Sequence, residues 1–112
     1  PNAVYSDIEV ASVGYTEEQC KKKGMEYLQA KYFFMANGRA VACNESDGFV
    51  KVLVSKKDRS ILGAHILGSK SAELIHEFVL ARRNGLTVDA IANTVHAHPT
   101  FSETIMEACR SL

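Results

Sequence analysis

At 112 residues the chain has room for one domain, large enough to bury a core without metals or disulfides. Hydrophobic residues make up 46% and charged residues 23%, and thirteen basic side chains balance thirteen acidic ones. That balance argues against the basic footprint of a nucleic-acid binder and against a polybasic membrane patch. No apolar run approaches the roughly 20 residues that span a bilayer, so neither nucleic acid nor membrane is expected as a partner.

Residues 8–13 are largely apolar and β-branched and stop at Gly14, which predicts a strand. Thr16-Glu17-Glu18-Gln19 forms a capping box, and Lys21-Lys22-Lys23-Gly24 supplies a cationic last turn with a glycine stop. Both ends of a short helix are thus marked. Across residues 26–34, Leu28, Ala30, Tyr32 and Phe34 alternate with Gln29, Lys31 and Phe33, the pattern of a half-buried strand. Residues 35–44 are ambiguous: Asn37-Gly38 marks a turn, and residues 39–43 have room for one helical turn.

Asp47-Gly48 signals a turn before residues 49–54, which are too β-branched for a helix. A polar loop, Lys56-Lys57-Asp58-Arg59-Ser60, then leads into a return strand over residues 61–67. The pair reads as a hairpin with a loop of about 4–5 residues. Leu74, Ile75, Phe78, Val79 and Ala81 fall at helical spacing and end in Arg82-Arg83-Asn84-Gly85. Thr87 caps a short turn, and a last helix starts near Thr100 and runs through Ile105, Met106 and Cys109. Strands first and helices later point to an α+β fold, an antiparallel sheet covered by helices, in one domain over residues 1–112.

Cys20, Cys43 and Cys109 are odd in number and far apart, with no CxxC or CxxxxC pair. They read as free thiols of a reducing compartment. The chain opens on Pro1 with no basic leader and stops at Leu112, as a piece of something longer would.

Chemistry concentrates in residues 94–103, Thr-Val-His-Ala-His-Pro-Thr-Phe-Ser-Glu. The plain reading makes Thr100-Phe101-Ser102-Glu103 a capping box behind Pro99, with Glu103 structural and His96 and His98 as loop residues. The functional reading folds His98 towards Glu103. A helix N-terminus lowers an imidazole's pKa and a neighbouring carboxylate raises it and fixes the tautomer. An oriented imidazole is half of an acid–base arrangement, and the other half, a nucleophile or substrate, is not encoded here.

His96-Ala97-His98-Pro99-Thr100-Phe101-Ser102-Glu103 resembles the HxHPTxSE signature of the dihydrolipoamide dehydrogenase family, within the flavin- and NAD-dependent disulfide oxidoreductases. The likeness extends along the chain. Residues 5–14 resemble the family's opening strand, with Ile8 where a proline is usual. Asn37-Gly38-Arg39-Ala40, Asp47-Gly48-Phe49-Val50-Lys51, residues 58–68 and Ala72-Glu73-Leu74-Ile75 follow in family order.

The resemblance implies a C-terminal dimerisation domain whose parent enzyme uses FAD and NAD, forms a homodimer and reoxidises dihydrolipoyl groups of acyltransferase subunits. It implies a bacterial cytoplasmic or mitochondrial matrix location. His98 would be the acid–base that takes a proton from a dithiol, and Glu103 would orient it. Pro99 would shape the loop towards the flavin and disulfide of the other subunit. His96 would line the substrate entrance or only pack.

Seven glycines never form GxGxxG, and the redox CxxxxC is missing, so this stretch alone is expected to bind neither FAD nor NAD and to be inactive. His76-Glu77 fails the HExxH pattern because Leu80 stands at the last position, and both read as helix-surface or interface residues. His65 reads as a packed or cross-strand histidine. A metal module of His96, His98 and Glu103 is opposed by Pro99 and the want of further ligands. Related glutathione- or mercuric-reductase-like parents, or a stand-alone dimeric domain, are the remaining readings.

Overall fold

The computed structural model describes residues 1–5 and 8–112; Ser6 and Asp7, part of the opening stretch, lie outside the described residues. Among the described residues, five strands make one antiparallel sheet: β1 (Asn2–Val4), β2 (Val10–Gly14), β3 (Tyr27–Phe33), β4 (Phe49–Ser55) and β5 (Ile61–Leu67). Their order is β1-β2-β5-β4-β3, so β1 and β3 are the sheet's margins. Helices α1 (Glu17–Lys22), α2 (Gly38–Ala42), α3 (Ser71–Arg83), α4 (Val88–Ala92) and α5 (Glu103–Arg110) complete the fold. This is the α+β class expected, with the antiparallel sheet under helices.

Strand periodicity decides which residues meet the helices. Val50, Val52 and Val54 of β4, Ala64 and Ile66 of β5, and Ala11 and Val13 of β2 share the covered face. Against it α3 presents Leu74, Ile75, Phe78 and Ala81 and α5 presents Ile105 and Ala108, all buried in the same core. Burying each large side chain of this set contributes about 1.5–3 kcal/mol. The helices divide the sheet between them: α3 lies over β2 and β5, α5 over β3 and β4, and α4 packs on α5.

On the other face a smaller cluster joins Cys20 of α1 to Leu53 and Leu62, flanked by Tyr15, Met25 and Tyr27. Thr16 caps α1 with the reciprocal bonds to Gln19 that the sequence spells out. Lys51 Nζ holds Glu17 at 2.8 Å and fixes this helix to β4. Between β4 and β5 the register shifts: Leu53 faces Gly63 and Val54 faces Ile61, leaving Leu62 as the extra residue of a bulge. The Leu62 carbonyl accepts from the Tyr15 N–H at 3.0 Å and from Arg82 Nε at 3.1 Å, so neighbours replace the lost ladder bond. A side chain at Gly63 would overlap the Tyr15 carbonyl, which is why this strand carries no Cβ there.

Three local expectations change. The opening strand spans Val10–Gly14, and a three-residue strand, Asn2–Val4, pairs with it at the margin. Asn37 is not a turn residue; its Oδ1 accepts the Ala40 N–H at 2.9 Å and caps α2. The last helix begins at Glu103, because Thr100 makes only half of the expected box: its N–H donates to Glu103 Oε1, while its hydroxyl turns away to the Ala97 carbonyl.

Candidate functional site

The ten residues joining α4 to α5, residues 93–102, place both candidate histidines, and contacts at each end hold the segment. The Phe101 ring meets Phe34 edge-on, with centroids 6.2 Å apart, which anchors the segment to the core. The peptide between His98 and Pro99 is cis.

His98 Nδ1 lies 3.0 Å from both Glu103 oxygens. A carboxylate only accepts, so Nδ1 is the donor and Nε2 is the nitrogen left to work on something else. The His98 side chain is 79% exposed, whereas that of Glu103 is 21% exposed. Glu103 also accepts the Thr100 N–H at 2.9 Å. That backbone bond first, and the His98 bond second, hold its carboxyl below the usual carboxylate range, against a smaller opposing effect of burial. The carboxylate is therefore ionised and aimed before any substrate arrives. An open hollow of about 170 Å³ lies beside the pair, with Tyr32, Asn37 and Glu107 among its walls.

His96 turns the other way and packs. Its Nδ1 faces the Thr94 carbonyl at 2.8 Å and its Nε2 faces Glu77 Oε2 at 2.8 Å, with the side chain 8% exposed. Both partners are oxygen acceptors, and the tautomer sets which ring nitrogen donates. The two histidines thus engage separate carboxylates, Glu77 and Glu103, and among the described residues no group of three or more His, Cys, Asp or Glu is placed to hold a metal. Glu77 had read as a helix-surface or interface residue, and its partner lies 19 positions away, beyond the reach of any local pattern. His65 sits cross-strand between Ser12 and Lys51 and meets the Tyr15 carbonyl at 3.1 Å.

The chain matches the family described as "Pyridine nucleotide-disulphide oxidoreductase, dimerisation domain" over residues 1–109. It belongs to that family. Within 108 aligned residues it is 48% identical to the dihydrolipoyl dehydrogenase of Bacillus subtilis, covering 96% of this chain and 23% of that protein. It is 50% identical to the mitochondrial dihydrolipoyl dehydrogenase 1 of Arabidopsis thaliana, covering 96% of this chain and 21% of that one. Among solved structures, LpdA of Mycobacterium tuberculosis superposes with a TM-score of 0.92 at 25% identity, over 98% of this chain and 24% of that chain. The Cu(II) complex of the flavoprotein disulfide reductase RclA from Escherichia coli gives a TM-score of 0.94 at 26% identity, over 99% and 25%. The chain therefore spans less than a quarter of the curated relatives named here.

Members of a pyridine nucleotide family need a seat for dinucleotides, and neither the hollow beside His98 nor the backbone before α3 fits one. The hollow beside His98, at about 170 Å³, is below the roughly 300 Å³ at which ligand pockets begin. Gly68, the glycine that precedes α3, gives no phosphate cradle, since a Cβ there would stand 2.8 Å from the Phe34 ring. Protein already fills that space. A larger hollow of about 560 Å³ lies at the hairpin end beside Lys56 and Lys57, lined by no imidazole or thiol. Among the described residues no helix is long and apolar enough to cross a membrane.

Proposed function

We propose that residues 1–112 are the C-terminal dimerisation domain of a dihydrolipoyl dehydrogenase, and that His98 and Glu103 supply the acid–base pair to the active site of the partner subunit in a homodimer. One observation carries the reading: His98 Nδ1 is committed to Glu103 at 3.0 Å while the ring stands exposed, presenting Nε2 outward. The identity to dihydrolipoyl dehydrogenases over 96% of the chain supports the choice of substrate class.

The chain's own part in the reaction is a proton transfer. Nε2 takes the proton of one thiol of dihydrolipoamide, giving imidazolium and thiolate. The thiolate attacks a disulfide sulfur, one S–S bond forms as another breaks, and the second thiol completes the exchange, so two electrons leave the substrate dithiol. Glu103 stabilises the imidazolium and holds its tautomer; Pro99 shapes the loop; His96, tied to Glu77, borders the entrance without reaching the proton. The disulfide, FAD and NAD, with NAD as final acceptor, belong to the remainder of the parent enzyme, and the dihydrolipoyl groups to acyltransferase subunits. A bacterial cytoplasm or a mitochondrial matrix is the fitting location, since relatives include a bacterial and a mitochondrial enzyme.

The test is His98→Gln in the full-length protein, assayed with dihydrolipoamide and, in parallel, the native protein with glutathione disulfide. Turnover of dihydrolipoamide falls about 10²–10⁴-fold in the variant. An unchanged rate rejects the role of His98, and a native protein that prefers glutathione disulfide rejects the substrate.

A further inference from the structure

We propose that Asn37 is a positioning residue for the His98–Glu103 pair, acting through the Thr100 peptide from 63 residues away. The inference rests on the function proposed above and adds a residue to it.

Every polar group of Asn37 is used. Its N–H donates to the Phe34 carbonyl at 2.8 Å and its carbonyl accepts the Val41 N–H at 3.0 Å. Its Oδ1 caps α2 through Ala40, and its Nδ2 donates to the Thr100 carbonyl at 2.9 Å. The residue is 5% exposed, so an amide left unpaired there would carry a desolvation cost. Capping explains Oδ1 alone. Nothing in α2 requires the Nδ2 bond, which anchors the Thr100 carbonyl, the oxygen that also accepts the Glu103 N–H at 3.4 Å.

Thr100 meets Glu103 through its amide as well. The Thr100 N–H donates to Glu103 Oε1 at 2.9 Å, and Glu103 receives His98 Nδ1 at 3.0 Å. The order Asn37, Thr100, Glu103, His98 is thus a continuous path of contacts from a buried helix cap to an exposed ring. A serine or aspartate cap would serve α2 as well as asparagine does, since the three rank together. Of the three, only asparagine carries its acceptor for the helix and its donor for the loop on separate atoms, Oδ1 and Nδ2.

Two variants separate the functions. Asn37→Ser keeps a neutral cap that is too short to bridge to Thr100. Asn37→Asp keeps cap and size but turns an acceptor towards the Thr100 carbonyl. Both are made in the full-length protein beside His98→Gln. We expect turnover with dihydrolipoamide to fall about tenfold in kcat with KM within about twofold, as misplacement of a reacting group does, and Tm to fall further in Asn37→Asp, which buries a carboxylate, than in Asn37→Ser. The acid limb of the rate profile should move to higher pH in Asn37→Ser, because weakening the Thr100 bond releases the carboxyl of Glu103 towards its ordinary range. Tyr32, His98 and Glu107 line the same hollow and His96 acts on Glu103 through its charge, and all four are left in place. A native rate and an unmoved acid limb in both variants overturn the inference, as does a rate loss that vanishes when Tm is restored by a distant stabilising change. If His98→Gln itself turns over normally, the functional reading fails first; if only that variant is impaired, Asn37 alone is acquitted.

Discussion

Glu77 of α3 holds His96 Nε2 at 2.8 Å and so ties the segment bearing His98 to the domain's longest helix. From the other end Asn37 holds the same segment through Thr100. An exposed imidazole with 79% of its side chain in solvent is thereby carried on a support fixed on both sides.

Glu77→Ala should loosen that support. Hydrogen exchange at residues 94–98 should quicken while amides of β4 and β5 keep their protection, since the change removes one contact of the loop and none of the core. Equal protection in the loop would show that Asn37 and Phe101 suffice to hold it.

Glu103→Gln retains an oxygen for the Thr100 N–H but removes the charge behind His98. We expect turnover with dihydrolipoamide to fall about tenfold or more. The depressed pKa of Glu103 makes its share of stability present above the ordinary carboxylate range and lost as pH falls through the folded value. Acid denaturation of the variant should therefore begin less steeply, which circular dichroism across an acid titration measures.

Cysteine chemistry gives an independent check on packing. Cys43 is exposed, whereas Cys20 and Cys109 are buried, so an aqueous thiol reagent should label one site quickly and the other two only on unfolding. Burial first, then the charges of Glu77 and Asp89, pushes the Cys109 thiol up to about 12 from 9.0. A raised pKa leaves stability intact below about 9 and erodes it as pH climbs through the folded value. Across the full interval the loss is of order 4 kcal/mol. Cys109→Ala should remove that alkaline decline, as thermal melts between pH 8 and 11 can establish.

Gly63→Ala tests the bulge. Its Cβ would overlap the Tyr15 carbonyl, so β2 must shift, at a cost of about 1–3 kcal/mol. Tm should drop by roughly 5 °C or more. A variant as stable as the native chain would mean that the Tyr15 segment relaxes freely.

Dimer formation has its own probe. Leu80 on α3 and Val95 in the α4–α5 connection are 64% and 90% exposed, an apolar pair in the region where a second subunit would need His98. Leu80→Lys with Val95→Asp should raise the concentration at which dimers form in sedimentation, and should lower activity in step with the dimer fraction. Activity retained by monomers would remove the partner subunit from the mechanism.

Which parts were readable in the sequence follows from distance along the chain. The β4–β5 hairpin and the box at Thr16 are local statements, made by alternation and by a four-residue spacing, and they appear as read. The His98–Glu103 contact spans five residues and was equally legible. Asn37-Gly38 carries the signature of a turn and of a cap alike, and only the bond to Thr100 shows why the cap is an asparagine. Thr100 went half wrong for a related reason: its hydroxyl donates to the Ala97 carbonyl at 2.7 Å instead of accepting a first-turn N–H of the helix. Margin strand β1 pairs only with β2 among the described residues and is exposed throughout, so no hydrophobic pattern announced it.

The sheet's two margins bear on handling the protein in isolation. One is only three residues long, too brief to template another chain. The other, β3, runs seven residues and bears exposed Leu28 and Phe33, the makings of a sticky seam. Lys31 stands between them with its ammonium 4.4 Å from the centre of the Phe49 ring. An approaching strand would have to bury that charge or strip it from the ring. Replacing Lys31 with valine should therefore lower solubility before it lowers stability, as turbidity on concentration would show.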